Sequence, residues 1–112
     1  MLMDTVRELC AIDGVSSFED GVREYIKSRI EPYADSVFQD AMGNLIAFKK
    51  GARDTGKTVL IAAHMDEVGL MITHITKDGY LKFAPVGGID RRVLLGKKVY
   101  VGENKVFGVI GN

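Results

Sequence analysis

Apolar positions in the first third of the chain recur at helical spacing. Leu2, Val6, Leu9 and Ile12 lie three or four residues apart, with Asp4 near the start and Gly14 beyond the end, and this predicts a short amphipathic helix. Phe18, Val22, Ile26 and Ile30 form a second stripe. There Ser17 is the candidate N-cap, Glu19 and Asp20 bring negative charge to the first turn, and Pro32 ends the helix. Both helices are expected to be half-buried. After Tyr33 the period shortens: Ser36 to Gln39 and Leu45 to Phe48 read as two strands around the turn residues Asp40-Ala41-Met42-Gly43-Asn44, a hairpin. The polar stretch Gly51 to Lys57 reads as a surface loop. The unbroken run Thr58-Val59-Leu60-Ile61-Ala62-Ala63 predicts a strand covered on both faces.

From Val68 onward the pattern is all β, with strands expected at 68–75, 80–86, 98–101 and 106–110. Turns fall at Lys77-Asp78-Gly79 and Gly102-Glu103-Asn104, and a single helical turn fits between Ile89 and Leu95. This change of character predicts two architectural parts, residues 1–68 and 69–112. Composition narrows the class. Fifteen basic and fifteen acidic side chains cancel, so there is no field to attract nucleic acid or an anionic membrane. The chain has one cysteine, Cys10, so no internal disulfide is possible, and its helical context predicts a small buried thiol in a reducing compartment. No apolar region follows Met1, and the longest apolar run, Val59 to Ala63, is far too short to span a bilayer. A cytoplasmic protein without membrane partners is expected.

The residues with the most chemistry are His64 and Asp66, directly after the apolar run, where the carboxyl edge of a sheet presents side chains to ligands. Strand alternation puts i and i+2 on one side, so the Asp66 carboxylate can hold one imidazole nitrogen and leave the other free for a metal. An isolated His-x-Asp is more often a hydrogen-bonded histidine beside a loop carboxylate. Its context here is more specific: Ala62-Ala63-His64-Met65-Asp66-Glu67-Val68-Gly69-Leu70-Met71 resembles the signature of the glutamyl aminopeptidase and deblocking aminopeptidase family. These are cocatalytic, tetrahedral metallopeptidases, some of them labelled endoglucanases. Gly14-Val15-Ser16, Asp40-Ala41-Met42-Gly43-Asn44-Leu45 and Pro85-Val86-Gly87-Gly88-Ile89-Asp90 resemble further family landmarks in the same order, so the resemblance covers essentially the whole chain.

What the resemblance implies is an α/β fold: the N-terminal part of a zinc-aminopeptidase catalytic domain, with two helices and a mixed sheet, running into the first strands of an inserted β-barrel dimerisation domain. It also implies a metal-dependent aminopeptidase that removes N-terminal residues from peptides and uses two divalent metal ions, zinc or cobalt. His64 matches a metal ligand, and Asp66 matches the catalytic aspartate that orients it. Glu67 matches a recurrent position without a clear role. The family's bridging aspartate, glutamate general base and remaining ligands correspond to positions beyond Asn112. A catalytic zinc needs about three protein ligands, so the chain alone is expected to be inactive. The resemblance implies a homo-oligomer. A departure stands at Arg91, where the family often has proline.

Two other readings compete. A truncated, catalytically inactive paralogue would keep the assembly surfaces and act as an oligomerisation module. Gly51-Ala52-Arg53-Asp54-Thr55-Gly56-Lys57-Thr58 also fits the phosphate-loop pattern G-x-x-x-x-G-K-[ST] of nucleotide hydrolases, but that mechanism needs a helix after the loop, and Val59-Leu60-Ile61 reads as strand. Of the remaining features, His74 is expected in mid-strand, in a structural or solvent-facing role. Gly87-Gly88 is read as conformational, and Arg91, Arg92, Lys97 and Lys98 as a solvated face.

Overall fold

A computed structural model describes residues 1–53 and 55–111. Contacts divide the chain into two units, Met1–Glu67 and Val68–Asn112. In the first, helix α1 spans Leu2–Cys10 and α2 spans Asp20–Ile30; Pro32 lies in the short 3-10 turn that follows and closes α2. The Tyr25 hydroxyl and the Arg29 guanidinium both donate to the Glu8 carboxylate, which fastens the two helices, and Arg29 also lies over the Tyr25 ring at 5.1 Å. Strands β1 (Ser36–Gln39) and β2 (Leu45–Phe48) pair antiparallel. Their turn forms because the Asp40 carboxylate accepts from the backbone of Met42 and Asn44, each at 2.9 Å, while Gly43 takes a φ of 88° that side chains resist.

Several expectations fail in this unit. Helix α2 begins at Asp20 rather than after Ser17, because Ser17 sits in the left-handed region at φ 75°, and its N–H donates to the Glu19 carboxylate. Phe18 consequently lies outside the helix and 70% exposed, leaving Val22 as the buried residue of the stripe. Helix α1 buries none of its residues fully, with Thr5 and Leu9 half-buried, and Cys10 is exposed. The run 58–63 is not a strand: Val59, Leu60 and Ile61 are 85%, 87% and 91% exposed, and no described strand pairs with them. A β-branched run supplies the propensity for a strand but not the neighbour whose amides and side chains would complete it. For the same reason the described residues form no mixed sheet, only two-stranded antiparallel ones and one isolated parallel bridge.

In the second unit, β3 (Gly69–Ile75) pairs antiparallel with β4 (Leu81–Val86), and β5 (Lys98–Val101) with β6 (Val106–Val109). The register slips between Ile72 and His74, and His74 is exposed. Tyr100 and Phe107 meet edge-on across the second hairpin with ring centroids 6.2 Å apart. Gly87 is required: at φ 83°, an added methyl would lie 2.9 Å from Cγ1 of Val68. A 3-10 turn, Arg91–Val93, is capped by Asp90, whose carboxylate accepts from the Arg92 amide and guanidinium. No described helix is long and apolar enough to cross a membrane.

Candidate functional site

The segment that carries His64 and Asp66 is held by the loop between α1 and α2. Val15 and Glu67 form a parallel bridge, in which the Glu67 amide donates to the Gly14 carbonyl at 2.8 Å. The Gly14 amide in turn donates to the Glu67 carboxylate at 3.1 Å. Both backbone groups of a buried residue are thus satisfied by one partner some fifty positions on, which gives Glu67 a structural role the sequence left blank. Gly14 allows this approach because it has no side chain: a methyl there would stand 2.7 Å from Cγ2 of Val22.

On this brace, Nδ1 of His64 faces two oxygens of Asp66, the backbone carbonyl at 3.0 Å and Oδ1 at 3.1 Å. A carbonyl and a carboxylate can only accept, so the geometry assigns the proton to Nδ1 and leaves Nε2 as the lone-pair nitrogen of the neutral ring. The other carboxylate oxygen, Oδ2, accepts from the Ser16 hydroxyl at 2.5 Å. The Ser16 hydrogen bond and, after it, the one to His64 hold the Asp66 carboxyl below its ordinary range. His64 itself is 85% exposed along its side chain. The i, i+2 pairing expected from strand alternation therefore exists, though the segment is irregular and the imidazole reaches both the Asp66 carbonyl and its carboxylate.

His64 and Asp66 border a cleft of about 170 Å³, also lined by Glu19, Arg23, Met42 and Asn44. Arg23 is buried and sets one wall: its Nε donates to the Gly43 carbonyl at 2.8 Å, its Nη1 to Asp20, and Nη2 lies 3.9 Å from Glu19. The β1–β2 turn is in this way tied to α2 beside the imidazole. A larger cleft, about 480 Å³, belongs to the second unit, but it is lined by Arg91, Arg92 and apolar groups and holds no imidazole or carboxylate.

The donor chemistry suits one coordination position of a metal and not a complete centre. Among the described residues, no group of three or more His, Cys, Asp or Glu side chains could hold a metal ion. The phosphate-loop reading fails on its own requirement, since no described helix follows Thr58, while Asp54 lies outside the described residues. Ser16 falls in the Gly14-Val15-Ser16 landmark, but its partnership with Asp66 is what sequence reasoning missed. It is 50 positions from Asp66, and no local pattern marks a partner at that distance.

A family model described as M42 glutamyl aminopeptidase matches residues 43–112. The lysyl aminopeptidase of Pyrococcus furiosus is 36% identical over 111 residues, covering 96% of this chain and 31% of that protein. A Thermotoga maritima structure described as an endoglucanase is 51% identical with a TM-score of 0.84, over 93% of this chain and 32% of that one. The TET1 peptidase of Pyrococcus horikoshii, which can assemble into a tetrahedron or a large octahedral shell, is 41% identical with a TM-score of 0.82, over 99% of this chain and 33% of that one. The chain thus spans about a third of the length of each.

Proposed function

We propose, from the premise that this chain belongs to the M42 glutamyl aminopeptidase family, that it is the portion of a metal-dependent aminopeptidase that supplies one metal ligand and its support. His64 binds a divalent ion through Nε2, and Asp66 keeps the proton on Nδ1 and the ring in place. When bound, two such ions, zinc or cobalt, would activate water and polarise the scissile carbonyl of a peptide's N-terminal residue. The rest of the ligand set comes from outside these residues, so the chain on its own has negligible peptidase activity. The observation that carries the reading is the pair of acceptors on Nδ1, which directs the only remaining imidazole lone pair to Nε2.

Titration of zinc or cobalt at neutral pH, followed by calorimetry and by the imidazole nitrogen resonances of His64, tests this reading. The expected result is weak binding that perturbs Nε2, leaves the Nδ1 proton in place, and is absent from His64→Ala. Binding of equal strength in His64→Ala, or displacement of the Nδ1 proton by the metal, would refute the assignment.

The four strands of residues 69–112 fit the start of a β-barrel insert used for subunit association. Two observations support this: each hairpin forms a two-stranded sheet, whose outer backbone edges lack a strand partner among the described residues, and large apolar side chains such as Met71, Tyr100 and Phe107 lie at least half exposed. A homo-oligomer follows, which sedimentation across a concentration series would detect.

A further inference from the structure

We infer that Ser16 is a positioning residue for the His64 site, acting through Asp66. The inference deepens the proposed function, because it concerns the same imidazole. Asp66 sits on an irregular segment and keeps 41% of its side chain exposed, so packing alone does not choose its rotamer. A single hydrogen bond to His64 would leave the carboxylate free to turn toward water. The Ser16 hydroxyl supplies the second anchor: it donates to Oδ2 at 2.5 Å while Oδ1 remains opposite Nδ1 at 3.1 Å. Two restraints on opposite oxygens fix the carboxylate plane, and one cannot.

Ser16 is itself held rigidly. It is half-buried, and it follows directly on Gly14 and Val15, whose pairing with Glu67 binds the loop to the segment that carries Asp66. The loop that carries the hydroxyl is thus tied to the segment that carries the carboxylate. The direction of the bond is also settled, because an ionised Asp66 can only accept and Ser16 must donate. No proton is transferred and Ser16 touches no substrate. Its contribution is to raise the fraction of time in which Asp66 faces the imidazole, and with it the share of rings carrying their proton on Nδ1.

Nitrogen-15 correlation spectra of the His64 ring in the metal-free chain read that share directly, independent of any catalytic activity. The wild-type chain is expected in the Nδ1–H form. Ser16→Ala is expected to shift the tautomer ratio toward Nε2–H by roughly three- to fivefold, the effect of losing one hydrogen bond. The shift is partial, because the Asp66 carbonyl also accepts from Nδ1. Ser16→Thr, which keeps the hydroxyl, should restore the wild-type ratio, whereas a purely volumetric role for Ser16 would leave the ratio indifferent to the hydroxyl. The Glu67 amide resonance reports whether the loop pairing survives. If Ser16→Ala disturbs that resonance, Ser16→Cys is read instead, since it keeps the volume and weakens the donor. An unchanged tautomer ratio with the Glu67 amide intact would overturn the inference. Zinc titration remains separate, so a failure of metal binding would count against the functional reading and leave the role of Ser16 standing.

Discussion

Adding one methyl group at Gly14 tests whether the brace under the site depends on close approach. The added carbon would lie 2.7 Å from Cγ2 of Val22, where carbon atoms in contact normally stand about 3.5–4.0 Å apart. Val22 cannot swing away, because it is β-branched within α2, where one rotamer dominates, and it is only 6% exposed. The loop must shift by most of an ångström or the helix must yield, and overpacking of this kind costs about 1–3 kcal/mol. The Met65 carbonyl, 3.5 Å from the same methyl, blocks relief on the other side. Gly14→Ala is therefore expected to lower the unfolding free energy by that amount, read as a urea midpoint of the helical circular-dichroism signal that falls by the same amount divided by an unchanged m-value. The clash with Val22 can be isolated in a double-mutant cycle. Val22→Ala alone creates a small cavity and is destabilising, but in the Gly14→Ala background it removes the offending carbon. The two changes together should then cost at least about 1 kcal/mol less than their sum. Strict additivity, or a Gly14→Ala variant as stable as the wild type, would refute the argument that this glycine is required by contact with Val22.

Two further tests concern the same unit. Ser17→Gly relieves a left-handed residue at φ 75°, worth about 1–2 kcal/mol, against the extra flexibility of glycine, about 0.5–1 kcal/mol, so a net gain of about 0–1.5 kcal/mol is expected in the same urea assay. A loss of stability would show that the Ser17 side chain makes a contribution the strain argument lacks. The Glu8 carboxyl is held below its ordinary value of 4.5, first by the Tyr25 hydroxyl and then by Arg29. Its stabilisation of the helix pair is therefore complete above pH 4.5 and disappears as the pH falls through the lowered value. Glu8→Gln should flatten that acid limb in thermal melts between pH 3 and 6, and an unaltered limb would remove Glu8 as its cause.

The parts of the fold legible in the sequence are those whose causes are local. Both halves of the β1–β2 hairpin lie where alternation puts them, since the Asp40 carboxylate and the positive φ of Gly43 make the turn within five residues. The start of α2 departs from its expected place because Ser17, which by type fits an N-cap, is held in the left-handed region at φ 75° with its amide on the Glu19 carboxylate. Thr58 to Ala63 was misread on different grounds. Its β-branched residues describe what the segment would do beside another strand, and no described strand provides one.

The site divides along the same line. His64 and Asp66 are two positions apart, so their relation is legible even though the expected strand does not form; the contact that joins them is as local as the strand would have been. The residues that make the pair rigid come from the other end of the unit. Ser16 and Gly14 contact Asp66 and Glu67 across about fifty residues, and the choice of those partners depends on how the loop after α1 packs against α2 through Val22. The stretch Gly14-Val15-Ser16 stands out as a family landmark, but its letters name no partner. Its importance follows from a close approach, measured in tenths of an ångström, that only glycine permits. Chemistry-bearing residues are thus visible through their type and spacing, while the residues that orient them are visible only through contact. The orientation of the imidazole, and with it the nitrogen available to a metal, is decided by the second group.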